Sequence, residues 1–86
     1  MDPIFETDPS EPIAPQLTLG QRRVRVSFNP SANSVVDNIK TDAAAMIDNI
    51  NQISQASTDG EVKRLCALAM TEIESAAMWA VKAATA

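Results

Sequence analysis

"VVDNIKTDAAAMIDNINQIS", residues 35–54, decides how this chain folds. Within and beside it, Val36, Ile39, Ala43, Met46, Ile50 and Ile53 recur at alternating intervals of three and four, and Ile47 widens the stripe. A repeat of about 3.5 residues is the signature of a helix with a coiled-coil-like apolar seam. Upstream, Ser31, Asn33 or Ser34 can cap the helix, and Ser34 with Asp37 three positions later approximates a capping box. Downstream, Ser57, Thr58, Asp59 and Gly60 read as a turn, with Thr58 and Glu61 as a second capping box. The apolar pattern resumes at Val62, Leu65, Ala69, Ile73, Ala76, Ala80 and Ala83. Two helices of similar length joined by a short polar turn predict an antiparallel hairpin over residues 31–86.

A two-helix hairpin has one seam, and a core that small seldom supports folding alone. Leu68, Met70, Met78, Trp79 and Val81 lie off the main stripe of the second helix, so apolar surface is left facing outward. The expected fold class is therefore all-α: an antiparallel two-helix hairpin with an extended N-terminal arm, assembled as a homo-oligomer. The arm is residues 22–30. Val24, Val26 and Phe28 alternate there with Arg23, Arg25 and Ser27, a period of two that fits a short strand lying across helices or paired with another copy. Residues 1–21 hold four of the five prolines, four acids and no base, which predicts a flexible acidic tail.

That tail accounts for the net charge of −4. From Arg22 onward acids and bases balance, so a broad nucleic-acid-binding face is not expected, and neither helix is a basic recognition helix. No apolar run is long enough to span a membrane and the N-terminus lacks a signal-like pattern, so the default expectation is a cytosolic protein. Histidine is absent and Cys66 is alone, which argues against an intrachain disulfide, most zinc sites and a His-activated cysteine. Cys66 reads as a buried small apolar residue. Glu72 and Glu74 point to different faces of a helix and form no acid/base pair. No enzyme activity and no cofactor are expected.

The cations carry more information. Lys82 suits a helix C-terminus, and Lys40, the single base between Arg25 and Lys63, can pair with Asp37 one turn earlier. Lys63 and Arg64 sit in the first turn of the second helix, where positive charge is unfavourable unless an anion binds there. A solvated face and an anion site both fit these two residues.

"NIKTDAAAMIDNI", the polar turn and "GEVKRLCALAMTEIESAAMWAVKAAT" together resemble the helical hairpin of phage anti-CBASS proteins, small sponges that sequester cyclic oligonucleotide signals. A similar hairpin occurs in Thoeris anti-defence sponges. The matching features are the Asn38, Ile39, Lys40 triplet, the charged helix start ending in Arg64, and the closing "MWAVKA" of Met78 to Ala83. The resemblance implies an intertwined homo-oligomer, a hexamer in characterised members, acting in the host cytoplasm. Its subunit interfaces hold cyclic dinucleotides and, at separate sites, cyclic trinucleotides. The implied ligand-binding residues are Lys40, Thr41, Arg64 and a stacking group that is either Arg25 or Phe28. Lys40 matches the lysine of the dinucleotide pocket and Arg64 the arginine of the trinucleotide site. Two copies of Lys40 across a two-fold axis would supply one cation per phosphate of a cyclic dinucleotide. The competing reading is a structural or regulatory oligomer that binds a protein partner, its cations merely solvated.

Overall fold

A computed structural model describes residues 16–86; most of the segment read as an acidic tail lies outside the described residues. Helix α1 spans Leu19–Arg23, α2 Ser34–Ala56 and α3 Gly60–Ala84. The helices α2 and α3 form the expected antiparallel hairpin, with the start of α2 beside the end of α3, where the Asn33 side-chain amide donates to the Ala84 carbonyl at 3.5 Å. No described helix is long and apolar enough to cross a membrane.

One cap falls on an expected candidate and the other on the neighbour of one. Asn33 caps α2, its side-chain oxygen accepting from Val35 N at 2.9 Å. Asp59, in place of Thr58, caps α3 by accepting from Glu61 N at 2.9 Å. Asp37 and Glu61 stand in the first turns, where the helix dipole favours a negative charge.

The apolar seam is rotated from the expected one. Val36, Ala44 and Ile47 are buried on α2 and Cys66, Met70 and Ala77 on α3, while Met46, Ile53 and Leu65 are exposed. The expected stripes assumed that each helix faces a single neighbour. In fact α1 packs on α2 and shifts the centre of the buried face toward Lys40, Ala44 and Ile47, and Val24 joins the core behind them. Cys66 is buried as expected, Met70 lies in the core although it was placed off the stripe, and Leu68, Met78 and Trp79 do face outward.

The extended arm expected over residues 22–30 is replaced by α1 and a reversal. Thr18 and Gln21 form a reciprocal capping box, so the helix starts within the segment read as tail. It ends in a Schellman motif, in which Val26 N donates to Gln21 O at 3.0 Å and Arg25 N to Arg22 O at 3.2 Å. Arg25 occupies the left-handed position with φ 56, where glycine is usual. A lone strand would have left its amides without partners, whereas the helical turn satisfies them locally. Val24 and Val26 still point inward, but the chain reversal, not a pleat, directs them there.

Contact between α1 and the hairpin is close. The Gly20 amide donates to the Asp48 carboxylate at 2.8 Å, and a Cβ at Gly20 would lie 2.1 Å from the Ala44 carbonyl oxygen. At the far side Arg23 reaches α3, its Nε 2.7 Å from Glu74 and its Nη2 3.2 Å from Thr71. Thus α1 is fastened to both helices of the hairpin, and its position fixes where the following turn begins.

Candidate ligand site

From the Schellman reversal the chain runs through residues 26–33 to the start of α2, and this connection builds the site. Asn29 organises it: its side-chain amide donates to the Asn33 carbonyl at 2.7 Å and to Asp37 at 2.9 Å, while its side-chain oxygen accepts from Asn33 N at 3.2 Å. Ala32 N closes a turn onto Asn29 O at 3.0 Å, with Ala32 at φ 53. Sequence reasoning missed Asn29. Its signal was the Asn-Pro dipeptide followed by Asn33, which marks a turn held by side-chain bonds.

Asp37 is therefore occupied, and the expected Lys40–Asp37 pair does not form. Lys40 instead extends beneath the connection and is 4% exposed. Its Nζ donates to the Arg25 carbonyl at 3.0 Å and to the Phe28 carbonyl, and it stands 5.4 Å from the centre of the Phe28 ring. A buried ammonium needs such acceptors, and the αL reversal at Arg25 helps present them.

Beside Lys40 opens a cavity of about 330 Å³ lined by Phe28, Pro30, Val36, Lys40, Val81 and Thr85, among others. Its walls are mostly apolar with a single charge, and its size falls at the small end for organic ligands. Of the two stacking candidates, Phe28 lines the cavity and is an exposed residue. Arg25 contributes its carbonyl to Lys40, and its side chain is not part of the lining.

Thr41 and Arg64 lie elsewhere. Thr41 is exposed and lines a smaller depression of about 180 Å³ with Gln21, Val26, Ala44 and Asp48, where α1 crosses α2. Arg64 belongs to the turn end of the hairpin, opposite the Lys40 end. It pairs with Glu61, Nη2 to Oε2 at 2.7 Å and Nε to Oε1 at 3.0 Å. The pair holds the Glu61 carboxyl below and the Arg64 guanidinium above their ordinary ranges, through the side-chain hydrogen bonds between them. Lys63 reaches back to the Ser54 carbonyl at 2.6 Å and supplies the cation that the last turn of α2 lacks. Both first-turn cations thus have partners within the chain. Among the described residues no group of three His, Cys, Asp or Glu side chains is placed to hold a metal ion.

A family model for the Acb2/Tad1 hairpin domain matches residues 20–85. Neither the curated proteins nor the solved structures contain a match to this chain. The family match runs from Gly20, where α1 touches α2, through the Lys40 connection and both long helices, and on that extent the chain belongs to the Acb2/Tad1 hairpin family of anti-CBASS and anti-Thoeris sponges.

Proposed function

We propose that this protein is a phage anti-defence sponge that binds host cyclic oligonucleotide messengers and withholds them, uncleaved, from the effectors they activate. The carrying observation is the cavity at Lys40, where one cation and one exposed aromatic ring meet over apolar walls. A phosphate suits the ammonium and a base suits the ring, and together they describe half of a cyclic dinucleotide. A second copy of the chain across a two-fold axis would complete the ligand's other half. The exposed Met46, Ile53, Leu65 and Leu68 offer apolar surface for such copies to pack. Sequestration requires no acid, base or metal, and cyclic trinucleotides are proposed ligands of a separate site that includes Arg64.

Calorimetric titration of the purified chain with cyclic di-AMP and cyclic tri-AMP tests this, followed by chromatography of ligand released on denaturation. Binding with intact release is expected, and Phe28→Ala should weaken dinucleotide binding by about fivefold or more, from a stacking loss of about 1–3 kcal/mol. Cleaved ligand, or undiminished dinucleotide binding by Phe28→Ala, refutes the reading. The same exposed apolar residues favour a second reading, a regulatory oligomer that binds a protein; it expects no nucleotide binding by the wild-type chain.

A further inference from the structure

Lys40 is placed to act before any ligand arrives. Its buried ammonium meets main-chain carbonyls in place of a carboxylate, and both belong to the turn from Arg25 to Phe28. Of Phe28's two backbone polar groups, the N–H stays inside that turn, bonded to Arg25 O at 2.9 Å, and the carbonyl goes to Lys40. The residue as a whole is 66% exposed and gains little from the core. Val24 is buried and Val26 packs against the core, which anchors the first half of the turn; downstream, Asn29 is tied to Asn33 and Asp37. Beyond Val26, the Phe28 carbonyl and ring both meet the Lys40 ammonium of α2.

We infer that Lys40 is a positioning residue: its ammonium clips the Arg25–Phe28 turn to α2 and so sets the Phe28 ring beside the cavity. An ammonium has three N–H donors, so two hold the turn and one remains for an anionic ligand. This deepens the proposed ligand site and rests on that reading, but the clip exists without ligand and is tested without it. Such preorganisation removes the ordering cost of the stacking group from the binding step. It also means that removing Lys40 removes the charge and displaces the ring together.

The test uses the full chain, free of nucleotide, in a Phe5→Leu background with fluorinated phenylalanine, so that Phe28 gives the single fluorine signal. Lys40→Met should speed exchange of the Phe28 amide at least tenfold and move the fluorine shift toward that of free fluorophenylalanine. The amides of Ile47, Cys66 and Met70 should keep their protection. Lys40→Arg, which retains charge and donors, should restore both readouts toward wild type, as a role confined to filling space would not require. Unchanged Phe28 readouts in Lys40→Met overturn the inference, as does failure of Lys40→Arg to outperform Lys40→Met. If Lys40→Met does not fold, Lys40→Gln decides: loosening confined to residues 25–28 supports the clip, and uniform loss of protection through α2 and α3 overturns it. A clip that survives these tests in a protein that binds no cyclic nucleotide would locate the failure in the proposed ligand and leave the positioning role standing.

Discussion

Gly20→Ala should destabilise the protein although it exchanges glycine for the best helix former. The propensity gain inside a helix is at most about 1 kcal/mol. Against it stands the backbone of Ala44: the new Cβ would lie 2.1 Å from its carbonyl oxygen, 2.8 Å from its carbonyl carbon and 2.9 Å from its Cα. None of these atoms can swing aside, and comfortable carbon contacts need about 3.5 Å or more, so α1 must retreat by an ångström or so. Overpacking of this kind costs roughly 1–3 kcal/mol. The retreat also stretches the 2.8 Å bond from Gly20 N to the Asp48 carboxylate, a bond to a charged acceptor worth about 1.5–3 kcal/mol. Less the propensity gain, the net loss is about 1.5–5 kcal/mol. With a urea m-value near 1 kcal/mol/M for a chain this short, the unfolding midpoint should fall by about 1.5 M or more. Circular dichroism in urea reads this, with both proteins at one concentration because an oligomer's midpoint depends on it. A midpoint within about 0.3 M of wild type would refute the claim that close α1–α2 contact is required at Gly20.

Arg25→Gly should stabilise the chain by about 1 kcal/mol, since glycine carries no penalty in the left-handed region where Arg25 sits at φ 56; a lower thermal midpoint would show that the side chain matters more than the backbone. Ile47→Ala, at a position with 0% exposure in the centre of the core, should cost about 2–5 kcal/mol by urea denaturation, and a loss under 1 kcal/mol would mean that the site is not packed as described. Arg64 holds the Glu61 carboxyl below its ordinary 4.5, so the unfolded chain takes up that proton before the folded chain does. The stabilisation is then complete above the unfolded value and lost as pH falls through the lower folded value; Glu61→Gln should flatten the acid limb of stability below the ordinary 4.5, and an unchanged limb counts against the pair. Leu68→Lys, at a residue 51% exposed, should leave helicity intact and lower the molar mass measured by light scattering if this face joins copies; an unchanged mass excludes Leu68 from the interface.

The hairpin was legible because two long helices repeat one local rule, and residues such as Val36, Ile47, Val62 and Ile73 obey it whichever neighbour they meet. The exact face was not. Met46 and Leu65 sit on the expected heptad and are exposed, while Ala44 and Cys66 lie beside it and are buried; on α2 the docking of α1 shifts the buried face. The segment from Arg22 to Phe28 misled for a physical reason: valines two apart are the mark of a pleat, and a Schellman reversal with a non-glycine at its left-handed position produces the same inward pointing. Lys40 stood out by its isolation in the sequence. What isolation could not convey is that the charge is received by carbonyls of a turn twelve to fifteen residues earlier in the chain. Phe28 lines the cavity and Arg25 lends its carbonyl to Lys40, a difference in placement that the residue types alone left open.

Cys66 gives the molecule an internal clock. It is the single cysteine of the chain and is buried between the long helices. A thiol reagent can reach it only when α2 and α3 part, so the labelling rate in native buffer reports how often the hairpin opens. When reclosing outpaces the reagent, each 1.4 kcal/mol added to that opening slows labelling tenfold. Any molecule that ties the hairpin shut, at whichever end of it, should therefore declare itself as a longer thiol lifetime, with no need for a signal from the ligand.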